Sequence, residues 1–264
     1  MQPWALVSPA SRGIGLEFAR RLLLTTKVPV VATARTDLDQ TRERVLEGLK
    51  DVKEERLNVL KVDFLDEDSI AEAKRKVSEL FPPKEHYLHL GLCIPGILFP
   101  EKSPDQINHD NALLSFRVNT IGPMLLTKHF WSFLPRKGSG NNEQPSGLPA
   151  SAIWANMSAR VGSISDNNAQ GGWFSYRSSK AAVTQLSKSF DNYLRLTMKD
   201  NAMCVAMHPG TVKTGLSEGF WETTAEGKLF SPEYSVEKLM EMLNSRTMEH
   251  RGKCWDYKGD EVPP

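Results

Sequence analysis

Residues 158–180 read Ser-Ala-Arg-Val-Gly-Ser-Ile-Ser-Asp-Asn-Asn-Ala-Gln-Gly-Gly-Trp-Phe-Ser-Tyr-Arg-Ser-Ser-Lys. Tyr176 and Lys180 are four apart, so on a helix they share a face, and an ammonium near a phenol favours the phenolate. A free tyrosine titrates near about 10; lowered toward neutrality it becomes a usable general acid or base. Ser163, thirteen residues before Tyr176, offers a hydroxyl for a carbonyl oxygen on which charge develops. Together these are the parts of a carbonyl/alcohol redox site. A Tyr and a Lys at this spacing are also an ordinary amphipathic surface pair, so the neighbouring chain has to decide.

Working outward, the stretch sits between a strand predicted over residues 150–157 and a helix that continues through Val183, Leu186, Phe190, Tyr193 and Leu194 at core-facing spacing. Earlier, residues 4–7 form a short apolar run that breaks at Ser8-Pro9-Ala10-Ser11-Arg12-Gly13-Ile14-Gly15, after which Leu16, Phe18, Ala19, Leu22 and Leu23 recur at helical spacing. Two glycines where a helix begins let the backbone approach a diphosphate, which the N-terminal amides and the helix dipole favour. Residues 28–33 make a second buried strand ending on Ala34-Arg35-Thr36. An acid at that tip would bind the 2′-hydroxyl of NAD; Arg35, with Arg12, pairs instead with the 2′-phosphate of NADP. Asp37 is placed to cap the helix that follows. Further strands are expected at 57–62, 87–94, 203–207 and, briefly, 254–257, with a last amphipathic helix around 236–243. Asp63, after the third strand, suits either an adenine amine or a helix cap. His86 and His89 fall on opposite faces of their strand with no further ligand nearby, so no metal site is expected.

Residues 110–134 are helical and unusually apolar, with Asn119 in the middle and Gly122-Pro123 directly after it, where a local break in the helical hydrogen bonding is expected. So broad a stripe covers more than one face, which points to a homodimer or homotetramer through this helix and the one carrying Tyr176. Residues 136–149, polar and rich in Gly and Pro, form a loop insertion without chemistry. Pattern is weakest at 97–105 and 215–230. There Ile97, Leu98, Phe99, Leu216, Phe220 and Trp221 imply a hydrophobic aldehyde or ketone, and the aromatics fit equally a lid and a core anchor.

With 264 residues, the chain is expected to be a single α/β domain spanning 1–264: a Rossmann-type, doubly wound parallel sheet of about seven strands with helices on both faces. Thirty-three basic against 32 acidic residues leave a net charge of +1, which argues against nucleic acid or an anionic membrane as partner. Cys93, Cys204 and Cys254 are too few and scattered for a disulfide framework. No targeting segment or membrane-length apolar run is evident, so a cytoplasmic location is expected.

Ser-Arg-Gly-Ile-Gly, Val-Asp-Phe, Val-Asn-Thr-Ile-Gly-Pro, Ser-Tyr-Arg-Ser-Ser-Lys and His-Pro-Gly-Thr-Val-Lys-Thr follow one another in an order and at intervals that resemble the short-chain dehydrogenase/reductase family over essentially the whole chain. The wording around residues 156–180 is most similar to its C-factor and sniffer-like carbonyl reductase branch. The resemblance implies an NADP(H)-dependent oxidoreductase passing a hydride between nicotinamide and a carbonyl or alcohol carbon. Tyr176 would be the acid/base, Lys180 would lower its pKa and bond the nicotinamide ribose, and Asn119 would hold a water of a proton relay. Pro209, Gly210, Val212 and Thr214 would lie against the nicotinamide and its phosphate. Ser11, Arg12, Ile14 and Asp63, with Ser8, Gly13 and Phe64 of the same motifs, would line the rest of the dinucleotide. Three motifs depart from the family: Ser8-Pro9 replaces a Thr-Gly, Cys93-Ile94-Pro95-Gly96 replaces an Asn-Asn-Ala-Gly, and Ala159 stands where the family's serine is common. Motif alignment leaves Ser158 as a neighbour of that position, whereas spacing to Tyr176 favours Ser163. The alternative is a catalytically silent nucleotide-binding regulator on the same fold.

Overall fold

The computed structural model describes residues 1–136, 144–167 and 171–264; half of the insertion expected at 136–149 lies outside them. The chain alternates β1 (Gln2–Ser8), α1 (Gly13–Thr25), β2 (Val30–Ala34), α2 (Leu38–Leu46), β3 (Leu57–Lys61), α3 (Glu67–Leu80) and β4 (His86–Cys93), then α4 (His109–Phe116), α5 (Gly122–Phe130), β5 (Ala152–Met157), α6 (Phe174–Thr197) and β6 (Ala202–His208). It closes with β7 (Thr211–Val212), β8 (Leu229–Phe230), α7 (Pro232–Asn244), β9 (Cys254–Asp256) and β10 (Glu261–Val262). Eight strands form the main sheet in the order β10-β9-β6-β5-β4-β1-β2-β3. All pairs are parallel except β9 with β10. The eighth strand, β10, exceeds the expected count of about seven because a two-residue antiparallel edge leaves no periodic signal in the sequence.

Alternation along the strands builds two cores. Ala5 and Val7 of β1, Ile153 and Ala155 of β5 and Met203 and Val205 of β6 face α1 and α7, packing with Phe18, Leu22 and Leu239. Their neighbours Trp4, Leu6, Trp154 and Cys204 face α3, α5 and α6, packing with Val77, Phe130 and Leu194. Gly91 in β4 makes room for this second layer, since a Cβ there would lie 2.8 Å from the Trp154 ring. The order of strands reverses between β4 and β1, so a crevice opens at their carboxyl ends, the usual ligand position of an open α/β sheet.

Two local expectations change, and the break expected at Gly122-Pro123 takes a definite form. The second strand begins at Val30 rather than at 28, because Pro29 has no amide to donate and the ladder with β1 opens on Ala5 and Val30. Asp37 does precede α2, but in a left-handed conformation (φ 51°) with no side-chain cap bond. The apolar helix at 110–134 is three pieces: α4, a π-helical turn over Arg117–Ile121 and α5. The break falls just before Gly122-Pro123, where the Gly122 amide donates to the Arg117 carbonyl five residues back.

Candidate active site

α6 brings Tyr176 and Lys180 together. Both side chains are buried, at 8% and 1% exposure, and the Lys180 Nζ lies 5.7 Å from the centre of the Tyr176 ring. The ammonium donates to the Met157 carbonyl at 2.8 Å and the Pro95 carbonyl at 3.3 Å, at the ends of β5 and β4. Among the described residues no carboxylate lies within salt-bridge distance of it. Burial drives the Lys180 pKa down to about 8 and pushes that of Tyr176 up. The depressed tyrosine pKa expected from the spacing is therefore absent in this geometry: desolvation dominates, and the ammonium is turned to main-chain oxygens.

Asn119, fully buried in the π turn, is fixed by three hydrogen bonds. Its Oδ1 accepts from the Ile97 amide at 2.9 Å, and its Nδ2 donates to the Ile97 carbonyl at 2.9 Å and to Ser179 Oγ at 3.0 Å. Ser179 in turn donates to the Tyr176 carbonyl at 2.8 Å. The segment after β4, which lacks the family's paired asparagines, is thus held by Asn119, while the Ile94 amide donates to the Ser8 carbonyl at 2.7 Å.

The serines turn elsewhere. Ser163 Oγ accepts from the Asp166 amide at 3.0 Å and donates to the Pro264 carbonyl at 3.4 Å. Ser158 Oγ donates to the Lys180 carbonyl at 3.0 Å and lies 2.6 Å from Thr184 Oγ1. Neither hydroxyl is hydrogen-bonded to Tyr176, and Ala159 supplies none.

At the opposite end of the crevice, the turn from β1 to α1 fits a diphosphate. Gly13 has φ +57°, and a Cβ on Gly15 would lie 2.0 Å from the Pro9 carbonyl oxygen, so only glycine permits this close turn. No side chain caps the first turn of α1, and none of its residues there is acidic, leaving its amides and dipole available to an anion. Arg12 and Arg35 are both exposed, and among the described residues neither side chain is held in an ion pair. Thr214 closes over the turn, 3.2 Å from where a Gly13 Cβ would stand, and Leu216 lies 3.2 Å from the equivalent point on Gly96. Ile14 packs partly against the first core, and Ser11 is half-buried. Other members of the expected set are engaged inside the protein. Ser8 Oγ pairs with Thr33 Oγ1 at 2.7 Å, and Asp63 Oδ1 accepts from the Leu65 amide at 2.9 Å, which is a turn-capping role. Phe64 packs in the second core with its ring against Gly122. Pro209 accepts from Ser235 at 2.8 Å, Gly210 has φ +76° and Val212 is buried.

Two elements beside Tyr176 had no clear signal. Glu101, 2% exposed, accepts at its carboxylate from the Ser175 amide at 2.8 Å and hydroxyl at 2.6 Å, capping α6 beside Tyr176. Its carbonyl accepts from the Trp173 amide at 2.7 Å. A lone acid after the apolar Ile97-Leu98-Phe99-Pro100 was the available cue. Trp173, at the N-cap of α6 with φ 52°, sets its ring 6.5 Å from Tyr176 and 4.8 Å from Phe220. Phe220 and Trp221 are both half-buried. Trp221 donates to Ser217 Oγ at 2.9 Å and lies under the Lys213 ammonium. Neither aromatic is a core anchor. His86 contacts Phe81, while His89 bonds the Pro149 carbonyl at 2.8 Å. No metal-holding group of His, Cys, Asp and Glu occurs among the described residues, and no helix among them is long and apolar enough to cross a membrane.

No family model matches the chain. It is 28% identical over 159 residues to C-signal of Myxococcus xanthus, covering 60% of this chain and 81% of that protein. It is 25% identical over 192 residues to 1-hydroxy-2-glutathionyl-2-methyl-3-butene dehydrogenase of Rhodococcus sp. (strain AD45), covering 73% and 74%. Its backbone superposes on the crystal structure of NADPH-bound carbonyl reductase from chicken fatty liver with a TM-score of 0.82 at 27% identity over the whole of both chains.

Proposed function

We propose that this chain, which belongs to the short-chain dehydrogenase/reductase family, is an NADPH-dependent reductase of small hydrophobic carbonyl compounds with Tyr176 as its proton donor. The observation that carries the proposal is the burial of Tyr176 and Lys180 side by side on α6, at the mouth of a crevice whose far end is an uncapped, glycine-bounded helix terminus. Arg12 and Arg35 would hold the 2′-phosphate, the first-turn amides of α1 the diphosphate, and Pro209, Gly210, Val212 and Thr214 the nicotinamide end. A nicotinamide held there would supply the hydride for the carbonyl carbon. Tyr176 donates its proton to the carbonyl oxygen as charge develops, which its raised pKa permits only with cationic support. Lys180 gives that support when its ammonium leaves the Met157 and Pro95 carbonyls. Asn119, both its Nδ2 protons and its Oδ1 already engaged, offers its main chain in the π turn to a water that reprotonates the pair. The proposal includes a single domain over the whole chain, a cytoplasmic setting consistent with three buried free thiols, and self-association through exposed Leu113, Ile121, Met124 and Leu196 of α4, α5, α6 and the π turn.

A second reading, a catalytically silent nucleotide-binding regulator, is favoured by Ala159 and by Ser163 being turned away. Fluorescence titration with NADPH and NADH, followed by a panel of ketones and aldehydes, separates the two. Tight NADPH binding with oxidation by a ketone supports the reductase; binding without turnover supports the regulator.

A further inference from the structure

We infer that Trp173 is the specificity-determining residue of this site, a fixed aromatic wall on which a planar aromatic ketone or aldehyde stacks while its carbonyl reaches Tyr176. The inference rests on the reductase reading and names its substrate class. Trp173 is a bulky residue in the left-handed region (φ 52°), a conformation that an L side chain holds only when its surroundings enforce it. Those surroundings are visible. Its amide donates to the Glu101 carbonyl, and Glu101 also clamps Ser175, the residue before Tyr176. A Cβ at Gly172 would lie 2.7 Å from the same Glu101 oxygen, so the chain passes this point only with glycine. The backbone is thus pinned on both sides of the indole.

The ring faces two aromatics, with different fates. Tyr176 is nearly perpendicular to it at 6.5 Å and belongs to α6. Phe220 lies against it at 4.8 Å with an interplanar angle of 58°, but sits on a short helix, Glu218–Thr223, that contains no buried residue. An element with so little buried surface yields first. A substrate ring can therefore replace Phe220 against the indole and gain the contact that Phe220 now makes, in offset or edge-to-face geometry. A saturated ring of equal size keeps its apolar burial but forfeits the aromatic contribution.

The test compares acetophenone with cyclohexyl methyl ketone, two ketones of the same carbon skeleton, as ligands and substrates of the NADPH complex. Dissociation constants come from calorimetry and kcat and KM from NADPH consumption. Trp173→Leu should weaken acetophenone by roughly two- to tenfold more than it weakens the cyclohexyl ketone, mainly in KM, and leave the NADPH dissociation constant alone. Trp173→Phe should restore most of the preference, and Phe220→Ala should retain or strengthen it. An aromatic-to-saturated ratio that is the same in the wild type and in Trp173→Leu overturns the inference, as does failure of the wild type to bind acetophenone. Trp173-dependent binding of acetophenone without its reduction upholds the wall and overturns the reductase.

Discussion

The pH dependence of stability should report directly on the buried ammonium of Lys180. The group is 1% exposed, bonded among the described residues only to two main-chain carbonyls, and its pKa is brought from 10.5 to about 8 by desolvation. The difference, 10.5 − 8, is about 2.5 units, or about 3 kcal/mol between the two protonation states. Between these pKa values the unfolded chain holds a proton that the folded chain has shed, so stability rises as pH increases through that window. Below pH 8 both states are charged and the folded state carries the full cost; above 10.5 both are neutral and the cost is gone. Lys180→Met has no such group. The unfolding free energy of the wild type minus that of Lys180→Met, from urea titrations of the ligand-free proteins, should therefore increase by about 2.5 kcal/mol between pH 7 and pH 10. The slope is the diagnostic quantity, because the substitution also strips a donor from Met157 and Pro95 and shifts stability by a pH-independent amount. A difference that stays flat across this range would refute the claim that Lys180 is held as a costly cation.

Other consequences can be checked on the same preparation. Tyr176→Phe should bind NADPH as the wild type does and lose roughly 10²–10⁴ in kcat, the range for a general acid; single-turnover assays showing retained activity exclude Tyr176 as the donor. Arg35→Ala should weaken NADPH by at least about tenfold, as the loss of a charge-assisted contact predicts, while NADH changes little; equal losses in a fluorescence titration dismiss the 2′-phosphate assignment. Ala159→Ser should raise kcat, because one donor to a developing oxyanion is worth roughly 10²–10³ where it is native and neither Ser158 nor Ser163 is free to supply it. An unchanged kcat in Ala159→Ser would show that the site does not depend on a hydroxyl there.

The sheet could be read in advance because its cues are short-range: apolar runs such as residues 4–7 and 203–207, bounded by Gly, Pro and Asp, behave as buried parallel strands whatever surrounds them. The pairing of Tyr176 with Lys180 was legible for the same reason, being a consequence of helical spacing. What could not be read depended on distant neighbours. The acidity of Tyr176 is set by its burial, which helical spacing does not report. The direction of Ser163 is set by Asp166 and Pro264, the second of them 101 residues away in sequence. Phe64 reads as part of a nucleotide motif, but its ring is claimed by the space above Gly122. Glu101 lies in a segment with no periodicity, and its role emerges only once α6 brings Ser175 to it.

The π turn at Arg117–Ile121 has a consequence for how this chain can vary. A π turn amounts to one extra residue threaded into an otherwise α-helical run. Removing a single residue from it would restore regular α winding with the flanks still in phase, at the cost of the widened turn that carries Asn119. α4 and α5 would keep their faces, but Asn119 would lose the widened turn from which it meets Ile97 and Ser179 together. Loops elsewhere can lengthen or shorten freely, whereas here the count of residues is itself the information, and a deletion would be more disruptive than most substitutions.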